Sequence, residues 1–398
     1  MFFRKHKRWL LGAGLAVAIG AVLIADALQV KGLTHDPGYS LGDKFTVRYL
    51  GLPNFVFEMQ LKGPPEVIDG QTLHPKMQYL FEKHRSPEAS ARYEAMLHSE
   101  DGRRLYRQLT DSHWPLRTKV TKEMAKVEDR TIRTPGGELG IRIYTPQTRK
   151  PGPLPVLTYF HGGAYIFASI DAVDRYARLI ANEAEVIVVS GNYRLAPEHI
   201  YPAALEDGAA VFQWVAENAE GFGGDASRIA VGGDSAGASI SLYASLRAIE
   251  TGARVPDYQL LYYPSIDLIG TGKYPSEELF KFGYGLDPWI VDTAIEFLFP
   301  DGFGPAEDVK ALLQRRLAEL PASYVGTAGF DILRDHGRAL VAALGTHGVP
   351  VTYEHYPSLA HNYLEHSGTI DDAERAAVSS ARILGTFLWS LPDGVQPR

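Results

Sequence analysis

The sequence predicts an α/β fold in which a mostly parallel central sheet is flanked by helices. Apolar runs with strand character alternate with stretches of helical periodicity between residues 155 and 389, and this alternation is typical of a parallel sheet with helices on both faces. Glycine-rich or polar turns follow several of the strands, where open α/β sheets place their functional sites. The chain has 398 residues, 45% of them hydrophobic, which is enough to bury a large core.

Different patterns precede this alternation. Residues 31–72 are punctuated by Gly and Pro and show little helical periodicity, although residues 53–59 could form a strand or an ordered arm. Residues 74–126 carry apolar side chains at helical spacing, which predicts helices. Residues 127–132 and 139–144, separated by Pro-Gly-Gly, are typical of a hairpin that opens the sheet.

The alternating core follows the hairpin. Its predicted strands are 155–160, 185–190, 228–233, 257–263, 323–328 and 350–356. Its predicted helices are 171–183, 202–218, 236–250, 335–347 and 371–389. The alternation breaks between residue 266 and about residue 313, where an aromatic-rich helical segment contains Trp289 and Phe297. This insertion either covers the functional site or forms a surface excursion with its own small core.

The most informative motif is the pentapeptide Gly-Asp-Ser-Ala-Gly at 233–237. It joins a predicted strand to a predicted helix through a sharp turn with Ser235 at its apex. Glycine at both ends lets the strand and the helix pack closely, while the serine backbone is strained and its hydroxyl is exposed. An ordinary serine in a Gly-rich turn is the alternative, so the motif counts only together with the rest of a catalytic site. We interpret Ser235 as a nucleophile.

A serine nucleophile needs a base and a third group that orients the base. In strand–turn–helix sites of this kind they follow in the order Ser, then Asp or Glu, then His. Asp331 and His361 occur in that order, each just past a predicted strand. Because the carboxyl ends of parallel strands share one edge of the sheet, both side chains would lie near Ser235. The sequence therefore predicts a triad of Ser235, Asp331 and His361.

Neighbouring acids and imidazoles fit these roles less well. Asp335 falls one turn into the following helix, where its charge suits the helix N-terminus. His355 lies inside a predicted strand and would be fixed in the sheet, and His366 comes five residues after His361. Three unrelated loop residues are the alternative to the triad.

A second glycine-containing turn, His-Gly-Gly-Ala-Tyr at 161–165, follows the strand 155–160. Acyl transfer needs N–H donors aimed at the developing oxyanion, and glycine lets backbone amides approach it closely. The amides of Gly162 and Gly163, with that of Ala236 next to the nucleophile, are the candidate oxyanion-hole donors. A plain Gly-Gly turn is the alternative.

Four ordered blocks resemble those of bacterial carboxylesterases of the hormone-sensitive-lipase-like group of α/β-hydrolases. They are His-Gly-Gly-Ala at 161–164, Tyr-Arg-Leu-Ala-Pro-Glu at 193–198, Gly-Asp-Ser-Ala-Gly at 233–237 and Phe-Asp-Ile-Leu-Arg-Asp at 330–335. The resemblance covers roughly residues 73–390.

This chain departs from the family pattern at two places. The family usually has a third glycine where Ala164 stands, and commonly has His-Gly-Phe where 361–363 read His-Asn-Tyr. Alanine keeps its amide available, so we expect an altered pocket and retained catalysis. Some plant receptors with this fold lack the catalytic histidine, whereas His361 is present here.

The resemblance implies a serine hydrolase, a carboxylesterase that hydrolyses short- to medium-chain carboxylic esters with water through an acyl-enzyme intermediate and without a cofactor. Two alternatives use the same triad, namely a deacetylase or amidase and an interfacial lipase. A third alternative is a non-catalytic ligand-binding protein.

In this family, helices before the sheet form part of a cap over the site. We therefore expect an N-terminal arm and cap helices over 28–126 and a catalytic domain over 127–398, with a cap insertion at about 266–313. The aromatic residues predicted to narrow the substrate pocket are Tyr165, Phe167, Tyr193, Trp289 and Phe297.

Composition limits the partners and the chemistry. The formal net charge is −7, and residues 1–27 contribute +3, so the rest of the chain carries about −10. This charge disfavours nucleic acid and anionic membrane surfaces as partners. The chain contains no cysteine, which excludes a thiol nucleophile, a disulfide framework and a thiolate metal site. A His-Glu-x-x-His motif is absent as well, so we expect no metal. The oligomeric state is not indicated by the sequence.

The N-terminus has the pattern of a targeting segment. Residues 1–8 carry four positive charges, residues 9–25 carry none, and Ala25-Asp26-Ala27 matches a small-x-small cleavage site. The uncharged run is slightly long for a signal sequence and slightly short for a membrane-spanning helix. We expect a cleaved export signal over 1–27, with an uncleaved anchor at 9–25 as the alternative. Both place the enzyme outside the cytoplasm, either periplasmic, secreted or membrane-anchored.

Overall fold

The computed structural model describes residues 41–84, 86–267, 274–302 and 316–392. The export signal expected at 1–27, the arm as far as residue 40, and parts of the insertion at 266–313 lie outside the described residues. Within the part of the chain that is described, no helix is both long and apolar enough to cross a bilayer.

The described residues form ten strands and twelve α-helices. The strands are β1 (Val67–Ile68), β2 (Gln71–Thr72), β3 (Lys126–Thr134), β4 (Gly137–Thr145), β5 (Leu154–Phe160), β6 (Ile187–Gly191), β7 (Gly224–Asp234), β8 (Tyr258–Tyr262), β9 (Ala322–Phe330) and β10 (Val351–Ala360). The helices are α1 (Leu41–Leu50), α2 (Asn54–Glu58), α3 (Pro75–His84), α4 (Pro87–His98), α5 (Glu100–Arg117), α6 (Asp174–Ala184), α7 (Ala203–Asn218), α8 (Ala236–Thr251), α9 (Pro275–Leu279), α10 (Pro288–Leu298), α11 (Arg334–Thr346) and α12 (Asp371–Ser390).

Eight of these strands form one central sheet in the order β10-β9-β8-β7-β5-β6-β4-β3. The hairpin β3–β4 and the pair β4–β6 are antiparallel, and every other neighbouring pair is parallel. The central strands β5 and β6 are buried at every position, as strands covered on both faces are. Two helix pairs, α6 with α12 and α7 with α8, pack against this sheet. The predicted mostly parallel sheet flanked by helices is confirmed.

The helices before the sheet begin at clear capping residues. Ser86 accepts a hydrogen bond from the Ala89 amide at the start of α4, and Ser99 accepts one from the Gly102 amide at the start of α5. Pro87 occupies the first helical position of α4, where its missing N–H costs no hydrogen bond. The helical prediction for 74–126 holds as far as Arg117, after which the chain is irregular until β3.

The strand suggested as one possibility for residues 53–59 is wrong. Asn54–Glu58 is a short helix, α2, in which Val56 and Phe57 are buried while Phe55 and Met59 are exposed. Pro53 precedes it, at a position that proline tolerates. The run Phe-Val-Phe is too short to show whether its period is that of a strand or a helix.

Strand β10 is longer than predicted. It continues to Ala360, whereas the predicted strand ended at residue 356. Its pairing with β9 shifts between Tyr356 and Ala360. Pro357 lies in this interval and has no N–H to donate, which is why the sequence suggested a loop here. The strand therefore runs directly up to His361.

Candidate active site

Ser235 sits on a strained turn between β7, which ends at Asp234, and α8, which begins at Ala236. Its φ of 54° and ψ of −119° are sparsely populated for a residue with a side chain. The Ser235 amide donates to the carbonyl of Tyr262 at 2.9 Å, which ties the turn to β8. A Cβ at Gly237 would lie 2.0 Å from the Phe160 carbonyl oxygen, so only glycine fits there.

The structure brings the three predicted triad residues into one hydrogen-bonded line. The Nε2 atom of His361 lies 3.1 Å from Ser235 Oγ, and its Nδ1 atom lies 2.8 Å from Asp331 Oδ2. All three residues are buried. The second carboxylate oxygen of Asp331 accepts a hydrogen bond from the Leu333 amide at 2.8 Å. A carboxylate can only accept, so Nδ1 of His361 donates to Asp331 and Nε2 is left to accept the serine proton.

The neighbouring candidates have other partners. Asp335 accepts a hydrogen bond from the Ser276 amide and pairs with Arg334. Burial raises the pKa of Asp335, but these contacts outweigh it and hold that pKa below its ordinary value. His355 contacts Gln71 and Thr327, and His366 contacts Glu365. None of these side chains contacts Ser235.

The glycine turn after β5 approaches the serine, but not with both predicted glycines. Gly163, Ala164 and Tyr165 have positive φ values of 113°, 51° and 66°, so the chain turns over these three residues. Gly163, Ala164 and Ala236 line the cavities around Ser235. No acceptor among the described residues takes a hydrogen bond from these three amides.

Gly162 lies behind the site, contrary to its predicted place. It lines neither cavity, and a Cβ on it would come within 2.5 Å of Asp234 Oδ2. The physical reason is that the chain reverses at Gly163, which turns the following residue towards the serine. Ala164, and not Gly162, therefore borders Ser235 in both cavities.

Buried polar groups support this turn from below. Asp234 accepts hydrogen bonds from the hydroxyls of Tyr159 at 2.8 Å and Tyr176 at 3.4 Å, and burial raises its pKa to about 6. Burial lowers the pKa of His161 to about 4, so its ring is neutral near pH 7. Tyr193 stacks on His161 with ring centres 4.3 Å apart, and its hydroxyl donates to the His161 carbonyl at 2.9 Å.

Two cavities meet at Ser235. The smaller has a volume of about 280 Å³, and the larger has a volume of about 520 Å³. Aromatic side chains dominate the smaller one, and they are Phe81, Tyr93, Tyr106, Trp114, Phe167 and Trp289. The larger one is lined by aliphatic side chains, which include Leu286, Val291, Ile332 and Leu333, together with charged ones such as Glu277 and Lys281.

Three of the five predicted pocket residues line these cavities. Phe167 and Trp289 line the smaller one, and Tyr165 lines the larger one. Tyr193 lines neither, because its ring is used against His161. Phe297 lines neither, because it is buried on the face of α10 that meets α4, where its ring packs edge-on against His98.

The aromatic wall that α4 and α5 contribute was not predicted from the sequence. Tyr106 contacts both Tyr93 and Phe167 edge to face, and Trp114 contacts Phe167 in the same way. Aromatic residues at 93, 106 and 114 in predicted cap helices were the available signal. Among the described residues, no group of three or more His, Asp or Glu side chains is arranged to hold a metal ion.

Comparison with known families supports the assignment of the fold. Residues 157–365 match the family described as alpha/beta hydrolase fold. The esterase LipI of Mycobacterium tuberculosis is 37% identical over 259 residues, which are 63% of this chain and 79% of that relative. The carboxylic ester hydrolase LipN of the same organism is 33% identical over 315 residues, which are 76% of this chain and 80% of the relative.

Solved structures give the same picture. An ester hydrolase from the metagenome of Lake Arreo, complexed with a bipyridine phosphonate derivative, has a TM-score of 0.73 and 30% identity, covering 80% of this chain and 100% of its own. A hyperthermophilic esterase from Pyrobaculum calidifontis has a TM-score of 0.65 and 27% identity, covering 76% of this chain and 98% of its own.

Proposed function

The chain belongs to the α/β-hydrolase family and is an ester-hydrolysing enzyme, and from this premise we propose that it is a serine carboxylesterase working through an acyl-enzyme intermediate. The observation that carries the proposal is the line Asp331–His361–Ser235, with hydrogen bonds of 2.8 and 3.1 Å. The Nε2 atom of His361, 3.1 Å from the hydroxyl oxygen, can remove its proton as the oxygen attacks.

The reaction follows from these contacts. His361 takes the proton of Ser235, whose oxygen attacks the ester carbonyl carbon. His361 then gives that proton to the departing alcohol, which leaves an acyl group on Ser235. A water molecule, deprotonated by the same imidazole, attacks the acyl carbon and releases the acid. Asp331 holds the ring orientation and stabilises its charged form in both halves.

The negative oxygen of each tetrahedral intermediate needs fixed donors. We assign them as the amides of Gly163, Ala164 and Ala236, which border the serine and have no acceptor among the described residues. Because three amides suffice for an oxyanion hole, Gly162 is not required. The alanine at 164 keeps the donor, while its methyl group changes the cavity wall.

The two cavities support short- to medium-chain esters as substrates. An ester has an acyl group and an alcohol group. Two cavities, of about 280 and 520 Å³, meet at Ser235, and each can receive one of these groups. Each buried CH₂ group gains about 0.8 kcal/mol while it still fits. The size of each cavity sets an upper limit on chain length, because further carbons would have to displace side chains or remain in solvent.

The decisive experiment combines covalent labelling with kinetics. Ser235→Ala is expected to lose labelling by a fluorophosphonate probe and to lower kcat for p-nitrophenyl butyrate by about 10³-fold or more, with the fold retained by circular dichroism. Ser112→Ala, on α5 and outside both cavities, is the matched control and should label and turn over like the wild type.

Two outcomes would replace the proposal. Labelling and turnover that survive in Ser235→Ala would move the nucleophile elsewhere. Faster hydrolysis of an emulsified long-chain triglyceride, or of an acyl anilide, than of the soluble ester would make the enzyme a lipase or an amidase.

A further inference from the structure

Residues 66–77 cross the end of the sheet that carries the triad. They comprise the hairpin β1–β2 and the first turn of α3, and we call them the N-terminal brace. Most of them precede residue 73, where the resemblance to known esterases begins, and the sequence alone assigned them no role. Several of their hydrogen bonds go to the two chain segments that bear His361 and Asp331.

The brace covers the outer edge of the strand that leads to His361. The His74 amide donates to the Ser358 carbonyl at 2.9 Å, and the Ala360 amide donates to Met77 Sδ at 3.3 Å. Among the described strands, β10 is the last of the sheet, so no strand of the sheet pairs with the N–H and C=O groups on its outer edge. Its pairing with β9 is also irregular between Tyr356 and Ala360. The brace therefore supplies hydrogen bonds to the part of β10 that has the fewest hydrogen bonds within the sheet.

A second contact reaches the segment that bears Asp331. Asp69 Oδ2 accepts a hydrogen bond from Arg334 Nη1 at 2.9 Å, and the Arg334 side chain is only 2% exposed. The amide of the same Arg334 donates to the Asp331 carbonyl at 3.1 Å. Asp69 thus holds Arg334, whose backbone amide closes the turn that bears Asp331.

A third contact passes through a neutral histidine. Gln71 Oε1 lies 2.6 Å from His355 Nε2, and His355 Nδ1 lies 2.9 Å from Thr327 Oγ1. The amide oxygen of Gln71 accepts the Nε2 proton, which leaves Nδ1 to accept from the threonine. This chain of hydrogen bonds joins the brace to both β10 and β9, six residues before His361 and four before Asp331.

The brace has the geometry of a preformed element. Asp69 and Gly70 have φ values of 52° and 72°, the left-handed pair that a two-residue hairpin turn requires. An Asp-Gly turn fixes the direction of the Asp69 side chain and places Gln71 on the following strand. Leu73 and Met77 are buried and anchor the brace to the core.

We propose that the N-terminal brace is a positioning device for catalysis, in which Asp69, Gln71 and Met77 hold Asp331 and His361 in line with Ser235. The proposal rests on the triad assigned above. Catalysis is sensitive to such positioning, because a misplacement of about 1 Å can cost about 100-fold in rate. The brace touches neither cavity, so it is expected to act on turnover and not on substrate binding.

The test removes the contacts without unfolding the hairpin. In Asp69→Ala/Gln71→Ala, kcat per active site, counted by titration with a fluorophosphonate, is expected to fall about 10-fold or more while KM changes less than twofold. The control Val67→Ala/Thr72→Ala alters two exposed side chains of the same hairpin and should leave kcat within twofold. Gln71→Glu keeps an acceptor for His355 and should retain more activity than Gln71→Ala.

A volume-conserving variant keeps the test valid if the double variant fails to fold. Met77→Leu fills the same space but removes the acceptor of the Ala360 amide. We expect kcat per active site to fall several-fold, again without a change in KM. If every brace variant turned over within twofold of the wild type per titrated site, the positioning role would be wrong. A failure of the triad itself would appear separately, as turnover that survives in Ser235→Ala.

Discussion

Ser235 owes its conformation to its neighbours. A serine at φ 54° and ψ −119° pays about 1–3 kcal/mol for its backbone, and the turn persists because α8 packs on β7 through Gly233 and Gly237. The same strain lifts the hydroxyl out of the sheet towards His361. Tyr263 packs edge to face against that imidazole, with ring centres 4.9 Å apart, and limits its rotation. The reactive geometry is therefore a property of packing around two side chains.

Asp234, next to the nucleophile, makes stability depend on pH. Burial raises its pKa to about 6 from an ordinary 3.8, so the folded protein holds this proton more tightly than the unfolded chain does. The contribution of Asp234 to the free energy of unfolding of the protein therefore falls as pH rises from about 4 to about 6. Asp234→Asn should match the wild type near pH 4 and exceed it by up to about 3 kcal/mol at pH 7. Urea unfolding at both pH values checks this.

Other buried groups do not disturb this comparison. Burial lowers the pKa of His161 to about 4, so its contribution to stability is lost as pH falls from about 6.5 to about 4. That loss occurs in both proteins and cancels in their difference. A difference between variant and wild type that stayed constant from pH 4 to pH 7 would contradict the raised pKa of Asp234.

At the scale of elements, helices from two parts of the chain close the site. α3, α4 and α5 precede the sheet, and α10 belongs to the insertion, yet all four contribute to the smaller cavity. The aromatic contacts of Phe167 with Tyr106 and Trp114 join this wall to the glycine turn after β5. The proposed acyl-chain limit thus depends on how closely these helices pack above the serine.

Shortening one aromatic side chain should lengthen the accepted substrate. With p-nitrophenyl esters, kcat/KM of the wild type is expected to rise about fourfold per CH₂ while the chain fits and to fall steeply beyond about ten carbons. Phe167→Ala should move the maximum towards longer chains, because it enlarges the smaller cavity. Phe297→Ala removes an equal ring that lines neither cavity and should leave the maximum unchanged. A wild-type maximum at palmitate would contradict the limit.

The sequence predicted the elements best where their periods repeat. Strand and helix alternate regularly from β5 to α12, so most predicted bounds lie within a few residues of those observed. The short helix α2 gave no such signal, since it spans five residues and follows a proline. The position of Gly162 was also beyond reach, because which of two adjacent glycines bears a turn depends on the packing of Asp234 beneath it.

At the scale of the whole molecule, the site is assembled from distant parts of the sequence. Ser235 and His361 are 126 residues apart, and Gln71 and His355 are 284 apart. The first pair could be predicted because both residues follow parallel strands, which end at one edge. The second could not, because no periodicity connects a two-residue hairpin to a remote sheet edge. Long-range contacts are predictable only where the fold itself dictates them.

The asymmetric charge of the chain bears on where the enzyme works. Residues 1–27 carry +3, whereas the remaining chain carries about −10. We predict that export removes the first 27 residues and leaves a mature chain that begins near Leu28. Intact mass and N-terminal sequencing of the protein from fractionated bacterial cells would measure this.

Replacing Arg4, Lys5, Lys7 and Arg8 by Gln should retain the enzyme inside the cell, because the basic segment orients export. An uncleaved chain in the membrane fraction would indicate the anchor, and a chain with Met1 only in the soluble cytosol would contradict both.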